Sequence, residues 1–289
     1  MPETTIADFV ARFLPDDRGG PEPVTGRVVL SQKRLVFASG DGRTTIPLAD
    51  VFDVVVGHVP RDLSEYFNDT VAIAYTVLDE RRTAIVEADA DTITRFRTVL
   101  FKALLGGTTV RVKHPAKVGG RYTDATARKA SLRLDERAVT FRGLEAPLRI
   151  DLSSITHMEK TDLTINGRTH PALDVQFTED GREITSEVVV SSSRRMNLLG
   201  RYLRLEYSDL LTEIDEIDIS DVETELLVAL YSGGAETDAA SVLGKDPSTV
   251  TMLLNTLEEK KLVASTDDGT KLTSLGRLAV SERVETVNA

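Results

Sequence analysis

Along the first 210 positions apolar residues recur mostly at every second residue, in short runs broken by turn-forming pairs. Ile73, Tyr75 and Val77 alternate before Asp79-Glu80. Leu173, Val175 and Phe177 alternate before Glu179-Asp180-Gly181. Period-two alternation between such turns predicts an antiparallel meander of half-buried strands. Twice the period lengthens to that of a helix. Residues 91–105 place Phe96, Val99, Leu100 and Leu104 on one face, and residues 193–206 do the same with Met196, Leu199, Tyr202 and Leu203.

The two halves repeat one another. LSQKRLVF, from Leu30 to Phe37, matches LDERAVTF, from Leu134 to Phe141. IPLADVFDV, from Ile46 to Val54, matches IDLSSITHM, from Ile150 to Met158. Both matches are ungapped at an offset of 104 residues. Each copy runs through several short strands to one amphipathic helix that can plug the open end of a bent sheet. The fold class is α+β: two duplicated small β-barrels of pleckstrin-homology-like (PH-like) layout, each closed by a C-terminal helix, over residues 21–106 and 107–210.

Two segments stand apart. In residues 1–20, Ile6, Phe9, Val10, Phe13 and Leu14 have helical spacing, and the Gly-, Pro- and Asp-rich stretch at 15–23 ends it. A docked N-terminal helix is expected, or a partner-binding peptide. After the acidic stretch 211–220, which reads as a linker or domain boundary, residues 221–231 are amphipathic, 235–243 form a short second helix, and Asp246-Pro247 opens a third with Asp246 as N-cap. Val250, Leu253, Leu254 and Leu257 supply its apolar face. Two short strands around Asp267-Asp268 and a last helix at 274–284 complete a winged helix-turn-helix module over 211–289.

Composition narrows the function classes. The chain has 289 residues, 41% of them hydrophobic and 28% charged, as in an ordinary globular protein. No cysteine is present, which removes disulfides, thiolate nucleophiles and thiolate zinc sites. No apolar run approaches the roughly 20 residues of a membrane span, and no secretory pattern opens the chain, so a cytoplasmic location is expected. Of the 35 basic residues only 10 are Lys, and the net charge is −11, a composition that suits a salt-rich cytoplasm such as that of a halophilic archaeon.

No catalytic motif emerges, so no enzyme activity and no cofactor is expected. His58, His114, His157 and His170 are scattered outside any metal-ligand spacing. Gly119-Gly120 and Gly244-Lys245 do not fit a phosphate loop, and Gly106-Gly107 ends a helix rather than opening one.

Charge is distributed unevenly. Residues 212–289 hold sixteen acidic and six basic residues. Ser248, Thr249 and Thr251, at the start of the third helix of this module, are the positions that would face a partner, with Asp267 and Asp268 at the wing tip. None is basic, so phosphate and guanine contacts lack their usual donors. A protein partner is favoured over DNA. The opposite anomaly lies at 111–129, where Arg111, Lys113, Lys117, Arg121, Arg128 and Lys129 meet only Asp124. It reads either as a solvated face or as a docking patch for an acidic partner, with an anionic membrane surface as a third option. Reversing Lys113, Lys117 and Arg121 is expected to weaken one partner and leave the fold intact.

L-S-x-K-R-L-V-F (Leu30 to Phe37), I-P-L-x-D-V (Ile46 to Val51) and K-x-G-G-R-Y-T-D-A-T (Lys117 to Thr126), followed by the second copy and the acidic tail, give the chain a recognisable order. Over essentially its whole length it resembles the archaeal taxis protein CheF family. The resemblance implies a non-catalytic adaptor between chemotaxis and the archaellum. Its partners would be the response regulator CheY, in its phosphorylated form, and the motor accessory proteins FlaC, FlaD and FlaE, with recruitment to the archaellum motor base. It carries over no invariant site residues. The rival reading is a transcriptional regulator with a duplicated sensor domain.

Overall fold

The structure is a computed structural model that describes residues 3–15, 22–40, 42–57, 70–135, 137–179, 182–190, 192–233, 239–266 and 269–288. Strands β1 (Thr5–Pro15), β2 (Val24–Ser31), β3 (Arg34–Ser39), β4 (Gly42–Pro47), β5 (Val51–Val56), β6 (Thr70–Val77) and β7 (Glu80–Glu87) are followed by helix α1 (Ala90–Leu105). Then come β8 (Thr109–Val118), β9 (Arg121–Tyr122), β10 (Arg128–Asp135), β11 (Ala138–Arg142), β12 (Leu148–Asp151), β13 (Ile155–Ile165), β14 (Arg168–Glu179) and β15 (Arg182–Val190), and helix α2 (Ser193–Asp215). The tail holds α3 (Asp221–Gly233), α4 (Ala239–Leu243), α5 (Pro247–Glu259), the hairpin β16 (Val263–Thr266) and β17 (Gly269–Leu272), and α6 (Ser274–Asn288). The molecule is thus mixed α+β.

The repeat is visible in the topology. The first sheet has the order β4-β3-β2-β1-β7-β6-β5, and the second has β12-β11-β10-β8-β15-β14-β13, with β9 added on β8. These are the same neighbours in the same sequence. Finer detail repeats too. A 3-10 turn follows β4 in the first copy and β12 in the second, at Leu48–Asp50 and at Leu152–Ser154. Its first amide donates to a carbonyl fifteen residues back, Leu48 N to Lys33 O at 2.8 Å and Leu152 N to Arg137 O at 2.9 Å. A register shift then falls at equivalent positions, between Val51 and Asp53 and between Ile155 and His157.

Neither sheet forms the closed barrel expected, because no pairing among the described residues joins the outer strands β4 and β5, or β12 and β13. In the first copy α1 packs on β1, β6 and the 3-10 turn. It buries Ile93, Phe96, Leu100, Phe101, Leu104 and Leu105. Each such side chain contributes roughly 1.5–3 kcal/mol of apolar burial.

Two expected elements are corrected. Residues 5–15 are not a helix but β1, paired with both β2 and β7 and central in its sheet. The same residues that suggested a helix also alternate, with Ala11 and Phe13 buried and Val10 and Arg12 exposed. Sheet pairing satisfies a whole backbone ladder, and that tertiary gain overrides an ambiguous local period. The segment at 211–220 is not all linker: α2 continues to Asp215, because Leu210 and Ile214 extend its buried stripe beneath the acidic residues.

By compactness the chain divides into residues 1–110 with 129–134 and 190–202, and residues 111–128 with 135–189 and 203–289. Within the former, Arg201 Nη2 lies 3.0 Å from Asp53 Oδ2, Arg194 donates to the Leu48 carbonyl at 3.0 Å, and Phe101 packs on Tyr202. Within the latter, α6 packs on the Leu152–Ser154 turn.

The tail starts with a reciprocal cap on α3. The Ser220 backbone N–H donates to Glu223 Oε2 at 2.7 Å, while the Glu223 N–H reaches back to Ser220 Oγ. Lys260 Nζ then reaches Glu223 Oε1 at 2.6 Å and ties α5 to α3.

Candidate functional site

Two charged surfaces are singled out by the sequence, and the structure treats them differently. The first centres on β8. Val110, Val112 and Ala116 are buried, and Arg111 is exposed. Lys113 and Lys117 are partly buried and engaged. Lys113 Nζ lies 3.6 Å from Glu187 Oε2, and Lys117 Nζ lies 3.9 Å from Asp174 Oδ2. Both ammonium groups stand over the Tyr122 ring, 5.7 and 5.0 Å from its centroid. Tyr122 is brought there by a two-residue turn at Gly119-Gly120, both with positive φ, as a tight hairpin between Val118 and Arg121 requires.

The acids are the residues the sequence reading missed. Asp174 on β14 sits directly opposite Glu187 on β15, and opposite Glu159 on β13 on its other side. Asp174 and Glu187 are only 4% and 7% exposed. Asp174 Oδ1 and Glu187 Oε2 have no hydrogen-bond partner among the described residues. Burial and the neighbouring Glu187 push the Asp174 carboxyl above its ordinary range, against the pull of Lys117 and Lys113. Lys113 and Lys117 are therefore countercharges of a sheet interior. Reversing them would place further negative charge beside Asp174 and Glu187 and act on the sheet as well as on any partner. Asp174 and Glu187 were findable: counting back from the Glu179–Arg182 turn pairs them.

The rest of the patch is looser. Arg121 is exposed, Arg128 is ion-paired with exposed Glu145, and Lys129 is exposed and belongs to the other compact unit.

The second surface is α5. Asp246 caps it as the sequence predicts. Its Oδ1 accepts from the Thr249 amide at 3.0 Å and from Ser248 Oγ, and its Oδ2 accepts from Thr249 Oγ1 at 2.6 Å. These donors hold the Asp246 carboxyl far below its usual range. Thr251 Oγ1 donates to the Pro247 carbonyl at 2.9 Å. All three hydroxyls expected to face a partner are thus bonded within the first turn. The helix N-terminus, where a phosphate would dock, already carries a fixed carboxylate. Asp267 and Asp268 lie outside the described residues. α5 leaves Pro247, Ser248, Thr251, Asn255, Glu258 and Glu259 exposed, together with one large apolar side chain, Met252, at 62%.

Of the histidines, His114 Nδ1 lies 2.8 Å from Ser186 Oγ with its ring stacked on Phe177, and His157 is beside Glu159. His58 lies outside the described residues. Among the described residues no cluster of His, Asp or Glu is arranged to hold a metal ion, and no helix is long and apolar enough to cross a membrane.

A family model described as "Archaeal Chemotaxis signal transduction system protein F" matches residues 5–209. A second, "Methanogenesis regulatory protein FilR1, N-terminal domain", matches residues 211–287. The chain is 49% identical over 288 residues to the taxis protein CheF2 of Halobacterium salinarum, covering 100% of both. It is 27% identical over 263 residues to CheF1 of the same organism, covering 89% of this chain and 88% of that one. A solved C-terminal domain of an unknown protein from Leishmania infantum is 12% identical, covering 35% of this chain and 85% of that one, with a TM-score of 0.27 that carries no weight for the fold.

Proposed function

The chain belongs to the archaeal chemotaxis signal transduction system protein F family, and from that premise we propose that it is a non-catalytic adaptor. It couples the response regulator CheY to the archaellum accessory proteins FlaC, FlaD and FlaE and so controls rotational switching. The observation that carries this is the 49% identity, over the whole length of both chains, to a protein named for taxis. The adaptor works in the cytoplasm, at the motor base. Two PH-like units, with β1 belonging to the first, form its platform. The repeated seven-strand order and the helix after each last strand support that layout. The tail from 211 is a winged helix-turn-helix, supported by the order α3-α4-α5-hairpin-α6.

Such a protein transmits a signal only through differential affinity: phosphorylated CheY must bind it better than the unphosphorylated form. The test is capture of purified CheY, with and without a phosphoryl mimic, by the full chain in high salt. Capture that depends on the mimic is expected. Equal capture in both states, or none, overturns the adaptor reading.

One observation favours a second reading, a DNA-binding regulator: the match of residues 211–287 to a domain of a regulatory protein. Duplex DNA affinity falling steeply with rising salt would support it. The capped, anionic start of α5 speaks against it.

A further inference from the structure

We infer that the solvent face of α5 is the tail's docking surface, and that it receives an apolar segment of a partner protein flanked by Lys and Arg. This deepens the adaptor reading and rests on it. Ser248, Met252, Asn255 and Glu259 follow one another at helical spacing and are all exposed. Met252 departs from the buried positions Val250 and Leu257 and points a flexible apolar side chain outward. Two further large apolar side chains of the same module, Tyr231 on α3 and Val242 on α4, are also exposed, at 46% and 64%. Met252 is thus one of three large apolar groups that the described residues of this module leave in water.

Charge selects the occupant. Residues 212–289 carry sixteen acids against six bases, and one of those bases, Lys260, is spent on Glu223 and the Asp218 carbonyl. Glu259 closes the exposed stripe at one end. At the other, Asp246 is held ionised, its acceptor sites filled by the first turn of α5. A second copy of this chain would bring the same acids face to face, and a nucleic acid would meet Asp246 where its phosphate should sit. A basic-apolar segment meets neither obstacle.

The test uses the full chain and a labelled helical peptide with Leu at every third or fourth position, flanked by Lys, read by fluorescence anisotropy. The variants are M252E, E259K and, as a control in the exposed β6–β7 turn, L78E. Wild type and L78E are expected to bind alike, M252E about tenfold more weakly, and E259K several-fold more weakly. M252E discriminates because it adds negative charge: attraction by charge alone makes it bind tighter. Equal or tighter binding by M252E, tighter binding by E259K, or no binding by wild type overturns the inference. Failure of CheY capture overturns the adaptor reading and leaves the peptide result standing, so the two failures are distinct.

Discussion

Asp174 and Glu187 face each other across β14 and β15 as a directly registered pair of buried carboxylates, and their countercharges, Lys117 and Lys113, come from β8 more than fifty residues earlier in the chain. Like charges opposite one another in a ladder repel. The two lysines offset that repulsion at 3.6 and 3.9 Å, distances of ion pairing without hydrogen bonding. The sheet therefore holds a charge arrangement that is balanced but not optimised, and its sensitivity to substitution follows.

Asp174→Asn removes one of the two repelling charges. Burial and Glu187 raise the Asp174 carboxyl above its ordinary 3.8, so the folded chain holds that proton longer than the unfolded one. Stability from this group is present at low pH and is lost as pH rises from about 3.8 through the raised folded value. At neutral pH the variant is expected to be as stable as wild type or about 1 kcal/mol more stable. The gain should vanish in strong acid. Urea titrations at a series of pH values check this, and a variant markedly less stable at neutral pH contradicts it.

Removing the lysines has the opposite effect. Lys113→Ala with Lys117→Ala leaves Asp174 and Glu187 buried without countercharge, which costs about 3 kcal/mol or more. Adding Asp174→Asn and Glu187→Gln should restore most of the loss. Arg111→Ala with Arg121→Ala should leave the denaturation midpoint unchanged, since both side chains are exposed. If the lysine and arginine pairs behave alike, the countercharge assignment is wrong.

The contrast shows what was legible in the sequence. The duplication was, because Leu30–Phe37 and Ile46–Val54 recur in register and become the same strands and the same 3-10 turn. The tail's elements were legible because Asp246-Pro247 and Gly244 mark ends by chemistry that acts locally. The basic patch was legible as charge, but the partners of Lys113 and Lys117 were not, because charge was counted along the chain and Glu187 and Asp174 arrive from β15 and β14. The N-terminal strand was misjudged because Phe9, Val10, Phe13 and Leu14 fit a helix as well as a strand. Only β2 and β7 decide between them.

His114 gives a second pH dependence of opposite sense. Burial holds its imidazole below the ordinary value, with Ser186 and Phe177 as neighbours and a weaker opposing pull from Glu179. The unfolded chain then takes up a proton first, so stability is lost as pH falls below about 6.5. In an NMR titration the His114 ring resonances should move with a midpoint below the ordinary imidazole value of about 6.5. A midpoint at or above about 6.5 contradicts the assignment.

Gly276 tests whether the tail's fold positions the α5 face. A Cβ at this position would lie 1.9 Å from the Leu262 carbonyl oxygen and 2.9 Å from its carbon. That carbonyl cannot easily yield, because it accepts from the Thr273 amide at 3.0 Å and from Thr273 Oγ1 at 3.2 Å, and Leu262 is fully buried. The close approach lets α6 begin directly after β17, with the Gly276 amide bonded to Thr273 Oγ1 at 3.1 Å. Gly276→Ala must separate α6 from the turn that leads into β16, at a cost of about 1–3 kcal/mol or more. Hydrogen exchange should then show lost protection in α5, β16 and β17 with the strands of the first sheet, β1 to β7, unchanged, and peptide binding at the α5 face should weaken in parallel. Loss of protection spread equally through β1 to β7 would mean that the damage is not confined to the compact unit that holds the tail.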